Sequence, residues 1–354
     1  MRANAQARTT DPWDEVTPSA ERDRKLEHIR LASETRMQAG RRFFDEYAFE
    51  HQALPEIDLA EIDLATSFLG KRLAAPLLVS CMTGGTPIAA TINRNLAGAC
   101  ERAGIALGVG SQRQALEDPA AADTFQVREW APTVPLLANL GAVQLNYGFG
   151  PAECRQAVEM IGADALVLHL NPLQEAIQPE GQCNFAALLA RIGEVVRELP
   201  VPVIVKEVGC GIAATTARAL LAEGVRIIDT AGVGGTSWAR IEAARAEDPE
   251  IGEVFADWGI PTPESIRQLA AIEGLTVIGS GGVRTGIDVA KAIALGADLV
   301  GLAQPFLKAA MESAERVSER IARTIRELRI TMFCVGARNQ HDLKHTEVFK
   351  RSER

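Results

Sequence analysis

The stretch Gly162-Ala163-Asp164-Ala165-Leu166-Val167-Leu168-His169-Leu170-Asn171 holds the pattern from which the rest of the chain can be read. A glycine suited to ending a helix is followed by a nearly unbroken apolar run, and the run ends in polar side chains. Continuous rather than alternating apolarity predicts a parallel strand covered on both faces. The phrase returns as Gly296-Ala297-Asp298, and Gly224-Val225-Arg226 is a third version. Eight such runs follow one another at residues 76–81, 105–111, 136–140, 165–170, 203–207, 226–230, 276–280 and 298–303. Between them, residues 88–103, 153–161, 185–199, 215–222, 263–272 and 286–295 carry apolar side chains at helical spacing. Eight strand–helix units over roughly 230 residues predict an α/β fold, the (β/α)8 TIM barrel. The alternative is a doubly wound parallel sheet, which rarely strings eight units together without interruption.

The repeat divides the chain. Residues 1–73 are an N-terminal extension expected to pack on the barrel, with a charged helix at 18–37. The barrel itself takes residues 74–310. Residues 311–354 are a C-terminal helix and tail, the helix starting near 308. The connection 231–262 is long for a strand-to-helix loop, and loops of that length are usually functional.

The composition, 47% hydrophobic and 23% charged, is that of an ordinary globular protein and excludes disorder, collagen and coiled coil for the bulk of the 354 residues. With 37 basic against 46 acidic residues the net charge is −9. Such a chain is a poor non-specific partner for nucleic acid, and an anionic ligand has to be met by a local cluster. The six cysteines, at 81, 100, 154, 183, 210 and 334, show no CxxC or zinc spacing. They read as reduced thiols of a cytoplasmic protein. The first twenty residues contain Asp11, Asp14 and Glu15 and no apolar core, so no signal peptide is expected. No apolar run approaches the ~20 residues of a membrane span.

In a barrel the chemistry sits at the C-terminal strand ends. Ser280-Gly281-Gly282-Val283-Arg284 ends the seventh run and leads into a helix, a phosphate site built of backbone N–H groups and a positive helix end. A plain glycine turn is the bland reading. Lys206 ends an apolar run and needs a negative partner, either an anionic cofactor ring or Asp229. His169, Asn171, Gln174 and Glu175 cluster after the fourth run, with Glu175 a carboxylate of the kind that suits Mg2+. A lone histidine would read as a core residue, but four polar groups in seven residues point to a site. Arg113 is an anion-gripping candidate. Arg24-Lys25, taken alone, reads as a solvated helix face.

Taken together, Arg24-Lys25-x-Glu27-His28, Met82-Thr83-Gly84-Gly85, Gly110-Ser111-Gln112-Arg113, His169-Leu170-Asn171-Pro172-Leu173-Gln174-Glu175, Gln178-Pro179-Glu180-Gly181, Lys206-Glu207-Val208-Gly209 and Gly232-Val233-Gly234-Gly235-Thr236 resemble the type 2 isopentenyl-diphosphate isomerases. The resemblance runs from about residue 22 to about residue 307. It implies an FMN- and Mg2+-dependent barrel, reduced by NADPH, that interconverts isopentenyl diphosphate and dimethylallyl diphosphate. By resemblance, Met82, Thr83, Gly84, Ser111, Asn139 and Lys206 hold FMN, as do Thr236, Gly281, Gly282, Arg284, Ala303 and Gln304. Arg24, Lys25, Ser111, Gln112 and Arg113, with His169, Asn171 and Gln174, bind substrate; Glu175 holds the metal. Gln174, His169 and Lys206 are the catalytic candidates. The expected chemistry is a proton relay at the reduced flavin, with Lys206 steadying an anionic ring and Gln174 placing the alkene. Cys81 and Gln182 depart from the family pattern. A homo-oligomer, tetramer or octamer, is expected. The alternatives are an FMN-dependent 2-hydroxyacid oxidase of the same barrel class and a non-catalytic flavin or phosphate binder. The oxidase reading needs a histidine late in the barrel, and the five histidines, at 28, 51, 169, 341 and 345, leave that region empty.

Overall fold

The structure, a computed structural model, describes residues 20–351, with side chains from Arg24 onward. Residues 18 and 19 of the expected helix, and Asp11, Asp14 and Glu15, lie outside the described residues.

Eight strands form the barrel: β1 (Leu77–Val79), β2 (Ala106–Gly108), β3 (Leu136–Gly141), β4 (Ala165–Leu170), β5 (Val203–Glu207), β6 (Ile227–Asp229), β7 (Thr276–Ser280) and β8 (Leu299–Leu302). Each is parallel to its sequence neighbours, and β8 pairs with β1 to close the ring. The doubly wound sheet is thereby excluded.

Successive strand side chains point to opposite faces. One set, including Leu78, Leu137, Val167, Ile204, Ile278 and Leu299, fills the barrel interior. The other, including Leu77, Leu136, Leu166, Val203, Val277 and Val300, joins the main core beneath the helices. Two residues further along the inner face come Ser80, Asn139, His169, Lys206, Asp229 and Ser280, so the period of two lays a polar layer on the apolar one. Gly108 and Gly301 complete that layer because nothing larger fits. A Cβ at Gly108 would lie 2.5 Å from Cys81 Sγ, and one at Gly301 would lie 2.4 Å from Ser80 Oγ.

Ahead of β1, the antiparallel strands Thr66–Phe68 and Lys71–Leu73 form a hairpin. Its Phe68 and Leu73 are buried in the barrel's interior cluster, which closes the N-terminal end. The charged helix, α1 (Ala20–Ala32), leads to a segment that crosses the opposite rim. There Ala39 N donates to Gly235 O (2.6 Å) and Ser237 N to Met37 O (2.8 Å).

The C-terminal part differs from expectation. It is not one helix and a tail but the helix Gln304–Glu312, then Ala314–Cys334, with Ser313 as the N-cap of the second. Val317, Ile321, Thr324, Leu328 and Met332 form the buried stripe of the longer helix. The expected polar tail contains the strand Val348–Lys350, which pairs antiparallel with Tyr47–Phe49. The boundary at residue 310 falls inside a helix. Ile29, Tyr47 and Leu64 from the extension share one core cluster with the barrel and with Val317, Leu328 and Leu343. Among the described residues no helix is long and apolar enough to cross a membrane.

Candidate active site

A cavity of about 280 Å3 opens above the polar layer at the C-terminal strand ends. Ser80, Asn139, His169, Lys206 and Ser280 form its floor. Lys206 is buried, and its Nζ donates to Glu207 O (2.6 Å). No ion pair joins it to Asp229, which instead accepts from Ser280 Oγ and from Ala231 N. His169 Nδ1 lies 2.8 Å from Asn139 Oδ1. An amide oxygen there puts the imidazole proton on Nδ1 and leaves Nε2 an acceptor. Burial, and then the Lys206 cation, push the His169 pKa down to about 4, so the ring is neutral near pH 7. Burial pushes the Cys81 thiol up to about 11, which makes it an inert wall residue. Alternation turns Glu207 outward, where its carboxylate accepts from the N–H groups of Val208, Gly209 and Cys210.

One end of the cavity is backbone. Gly281 and Gly282 have φ of 103° and 72°. A Cβ on either would strike the facing 232–235 loop, 2.2 Å from Gly232 O and 2.4 Å from Gly234 C. The helix after this turn is not the free anion-binding end that was expected. Thr285 and Asp288 form a capping box on Gly286–Ala294, and Gly286 N donates to Glu327 Oε2 (2.9 Å). The helix end open to the cavity is that of Gln304–Glu312. Its N-cap residue Ala303 offers no side-chain cap, and Ala303, Gln304 and Pro305 line the wall. Thr236 and Arg284 stand on either side of the glycine turn, and Met82, Thr83 and Gly84 line the wall toward β1.

The other end is ionic. Lys25 Nζ lies 3.4 Å from Ser111 O and 5.4 Å from the centroid of the Phe125 ring. Arg24 Nη1 pairs with Glu180 Oε1 (3.5 Å). Both side chains line the cavity, so Arg24-Lys25 is not a solvated face. Arg113 also lines it, held by Glu117 (2.8 Å) and by Gln182 Oε1 (3.3 Å). Glu175 is buried and accepts from Asn171 Nδ2 (2.9 Å), Gln178 Nε2 (2.7 Å) and Gln182 N (2.6 Å). Gln182, the family departure, thus joins Glu175 to Arg113. Asn171 Oδ1 beside them is buried and has no hydrogen-bond partner among the described residues.

Gln112 is the one expected site residue that the structure places elsewhere. It is wholly buried: its Nε2 donates to Ala157 O (2.8 Å) and its Oε1 accepts from Asn139 N (3.0 Å). Its side chain pins β3 and does not line the cavity. Conversely, Glu242 was not foreseen. It sits on the helix Trp238–Ala243, inside the long 231–262 connection, and is wholly buried. It accepts from Gln174 Nε2 (2.6 Å) and Arg245 Nη1 (2.7 Å), with His28 Nε2 at 3.0 Å. Burial raises its pKa, but the nearby His28 ring, with the bonds from Gln174 and Arg245, outweighs it and holds the carboxyl below its usual range. Arg245 also pairs with Glu27 and Glu180, which ties α1 to two barrel loops. The loop length and the Glu242/Arg245 spacing of three were the signals available in the sequence.

The profile of the FMN-dependent dehydrogenase family matches residues 28–135 and 178–350. The chain is 51% identical to the isopentenyl-diphosphate delta-isomerase of Nostoc sp., over 93% of this chain and 95% of that one. It is 52% identical to the isopentenyl-diphosphate delta-isomerase of Synechococcus sp., over 92% and 96%. The chain belongs to the isopentenyl-diphosphate delta-isomerase family. Solved structures with the same fold include an (S)-mandelate dehydrogenase, with a TM-score of 0.65 at 18% identity over 92% of this chain and 91% of that one. The lactate oxidase of Pediococcus acidilactici gives 0.64 at 17%, over 93% of each. At such identity the likeness is one of fold.

This member of the isopentenyl-diphosphate delta-isomerase family has donors that fit FMN, the cofactor its matching family model names. They are a buried ammonium that makes no ion pair with a carboxylate among the described residues, a glycine turn beside an uncapped helix end, and the buried Ser80 Oγ, which has no hydrogen-bond partner among the described residues and lines the cavity. The Glu175 carboxylate and Asn171 Oδ1, which has no hydrogen-bond partner among the described residues, are two hard oxygens of the kind Mg2+ takes, but no group of three His, Cys, Asp or Glu side chains stands together among the described residues.

Proposed function

We propose that the chain interconverts isopentenyl diphosphate and dimethylallyl diphosphate by a 1,3-allylic proton shift, with FMN and Mg2+ in this cavity and no net redox change. The observation that carries the reading is one cavity with two separate anion-accepting ends, at Gly281–Gly282 and at Arg24, Lys25 and Arg113. A flavin phosphate and a substrate diphosphate can therefore be held at once.

Gly281, Gly282, Arg284, Thr236, Ala303 and Gln304 would hold the FMN phosphate. Met82, Thr83, Gly84, Ser111, Asn139 and Lys206 would hold its ring. When bound in reduced form, FMN supplies a ring nitrogen that gives and takes a proton, and NADPH is the reductant we assign to it. Lys206 sets a buried positive charge on the floor, which would favour the anionic form of a flavin ring held there. Glu175 and Asn171 would hold Mg2+ against the diphosphate, while Arg24, Lys25 and Arg113 neutralise the remaining charge. The neutral His169 offers Nε2 as an acceptor without adding a second cation. Gln174 is held at both ends of its amide, by Glu242 and by Asn171, so it presents one fixed orientation to the alkene. The loop carrying Glu242 and the helix α1, joined through Arg245, cover the site and exclude water from a transition state with carbocation character.

The six free cysteines support a reducing, cytoplasmic setting. The test incubates the purified chain with isopentenyl diphosphate, Mg2+, FMN and NADPH. Dimethylallyl diphosphate should accumulate well beyond the reductant consumed. Mole-for-mole consumption of NADPH, or oxidation of 2-hydroxy acids instead, overturns the reading.

A further inference from the structure

Residue 38 stands where the segment between α1 and the barrel crosses the rim. Its backbone bridges antiparallel to Thr236, and its carbonyl accepts from Arg240 Nη1 (2.6 Å). Arg240 is itself clamped on the Glu253 carboxylate, with Nη2 2.8 Å from Oε2. The Gln38 side chain is therefore mounted on a fixed backbone, and it lines the cavity. Both ends of its amide are used. Nε2 donates to Thr236 Oγ1 (3.1 Å), and Oε1 accepts from Arg284 Nη2 (3.3 Å).

These two partners flank the Gly281–Gly282 turn, and Arg284 Nη1 donates to Gly282 O (3.1 Å). A hydroxyl that accepts from Gln38 keeps its own hydrogen to donate elsewhere. A guanidinium held at one Nη by Gly282 and at the other by Gln38 keeps a fixed plane. We infer that Gln38 is a positioning residue for the phosphate end of the flavin, aiming the Thr236 hydroxyl and the Arg284 fork at that phosphate. The inference rests on the flavin reading given above and extends it to a residue outside the barrel. The amide is the group that suits this place. A carboxylate at 38 would neutralise Arg284 and repel a phosphate, and an ammonium would repel Arg284.

The experiment titrates the flavin-stripped, full-length chain with FMN and, separately, with riboflavin, which has the same ring and no phosphate, following flavin fluorescence. Wild type should prefer FMN. Gln38→Met, which keeps the side-chain length, and Gln38→Ala should each lose about tenfold in FMN affinity with riboflavin affinity unchanged. Gln38→Glu should lose more. Equal losses for both ligands would mark a merely structural role, and unchanged FMN affinity in all three variants would remove the role altogether; either result overturns the inference. A wild type that binds neither flavin sinks the flavin reading itself, and Gln38 with it. A wild type that prefers FMN while the variants keep that preference refutes Gln38 alone.

Discussion

His169 shows what the floor does to a single side chain. Its folded pKa, about 4, lies below the ordinary value of 6.5, so its contribution to stability is present above pH 6.5 and is lost as pH falls through 4. A shift of that size corresponds to about 3 kcal/mol. Thermal unfolding followed from pH 6.5 down to 4 should show a steeper fall in Tm for wild type than for His169→Gln; parallel curves would refute the assignment. Lys206→Ala removes the cation next to it. Flavin content and turnover should both collapse, by at least about a hundredfold in rate, and full retention of either contradicts the role given to Lys206. Much at this scale was legible, because polar residues at the ends of apolar runs stand out. Gln112 did not betray itself, since nothing in the order Ser111-Gln112-Arg113 says which of three adjacent side chains turns into the protein. Glu242 was hidden because it reaches the site from a helix inside a loop.

The elements were easier to read, and the reason is physical. Strands covered on both faces carry continuous apolar runs, and each of the eight was visible as such. The strand Val348–Lys350 was not, because Glu347-Val348-Phe349-Lys350 is short and carries charge at both ends. The helix Gly286–Ala294 tests the distinction between a capped and an open end. Asp288→Ala removes half of its capping box and should cost about 1 kcal/mol of stability, seen as a lower Tm. FMN affinity should fall only modestly, through Arg284, whose backbone N loses its bond to Asp288 Oδ2 (3.0 Å). A loss of flavin binding out of proportion to the loss of stability would return the phosphate to that helix.

Across the whole molecule, the extension and the C-terminal segment hold each other. Tyr47–Phe49 and Val348–Lys350 make a two-stranded sheet, and the same extension carries Arg24, Lys25 and Gln38 to the cavity. Ending the chain after Lys344 should expose the extension to limited proteolysis and raise KM for the diphosphate, by about tenfold if the clamp loses one charge-assisted contact, with a smaller change in kcat. Unaltered cleavage and KM would show that the extension docks without its partner strand. Phe68 and Leu73, lodged in the bottom of the ring, set a rule of traffic. With that end stoppered, among the described residues the way to the polar floor lies at the C-terminal strand ends. On the proposed reading, an electron donor and an isoprenoid diphosphate would share that threshold, and each should act as a competitor of the other.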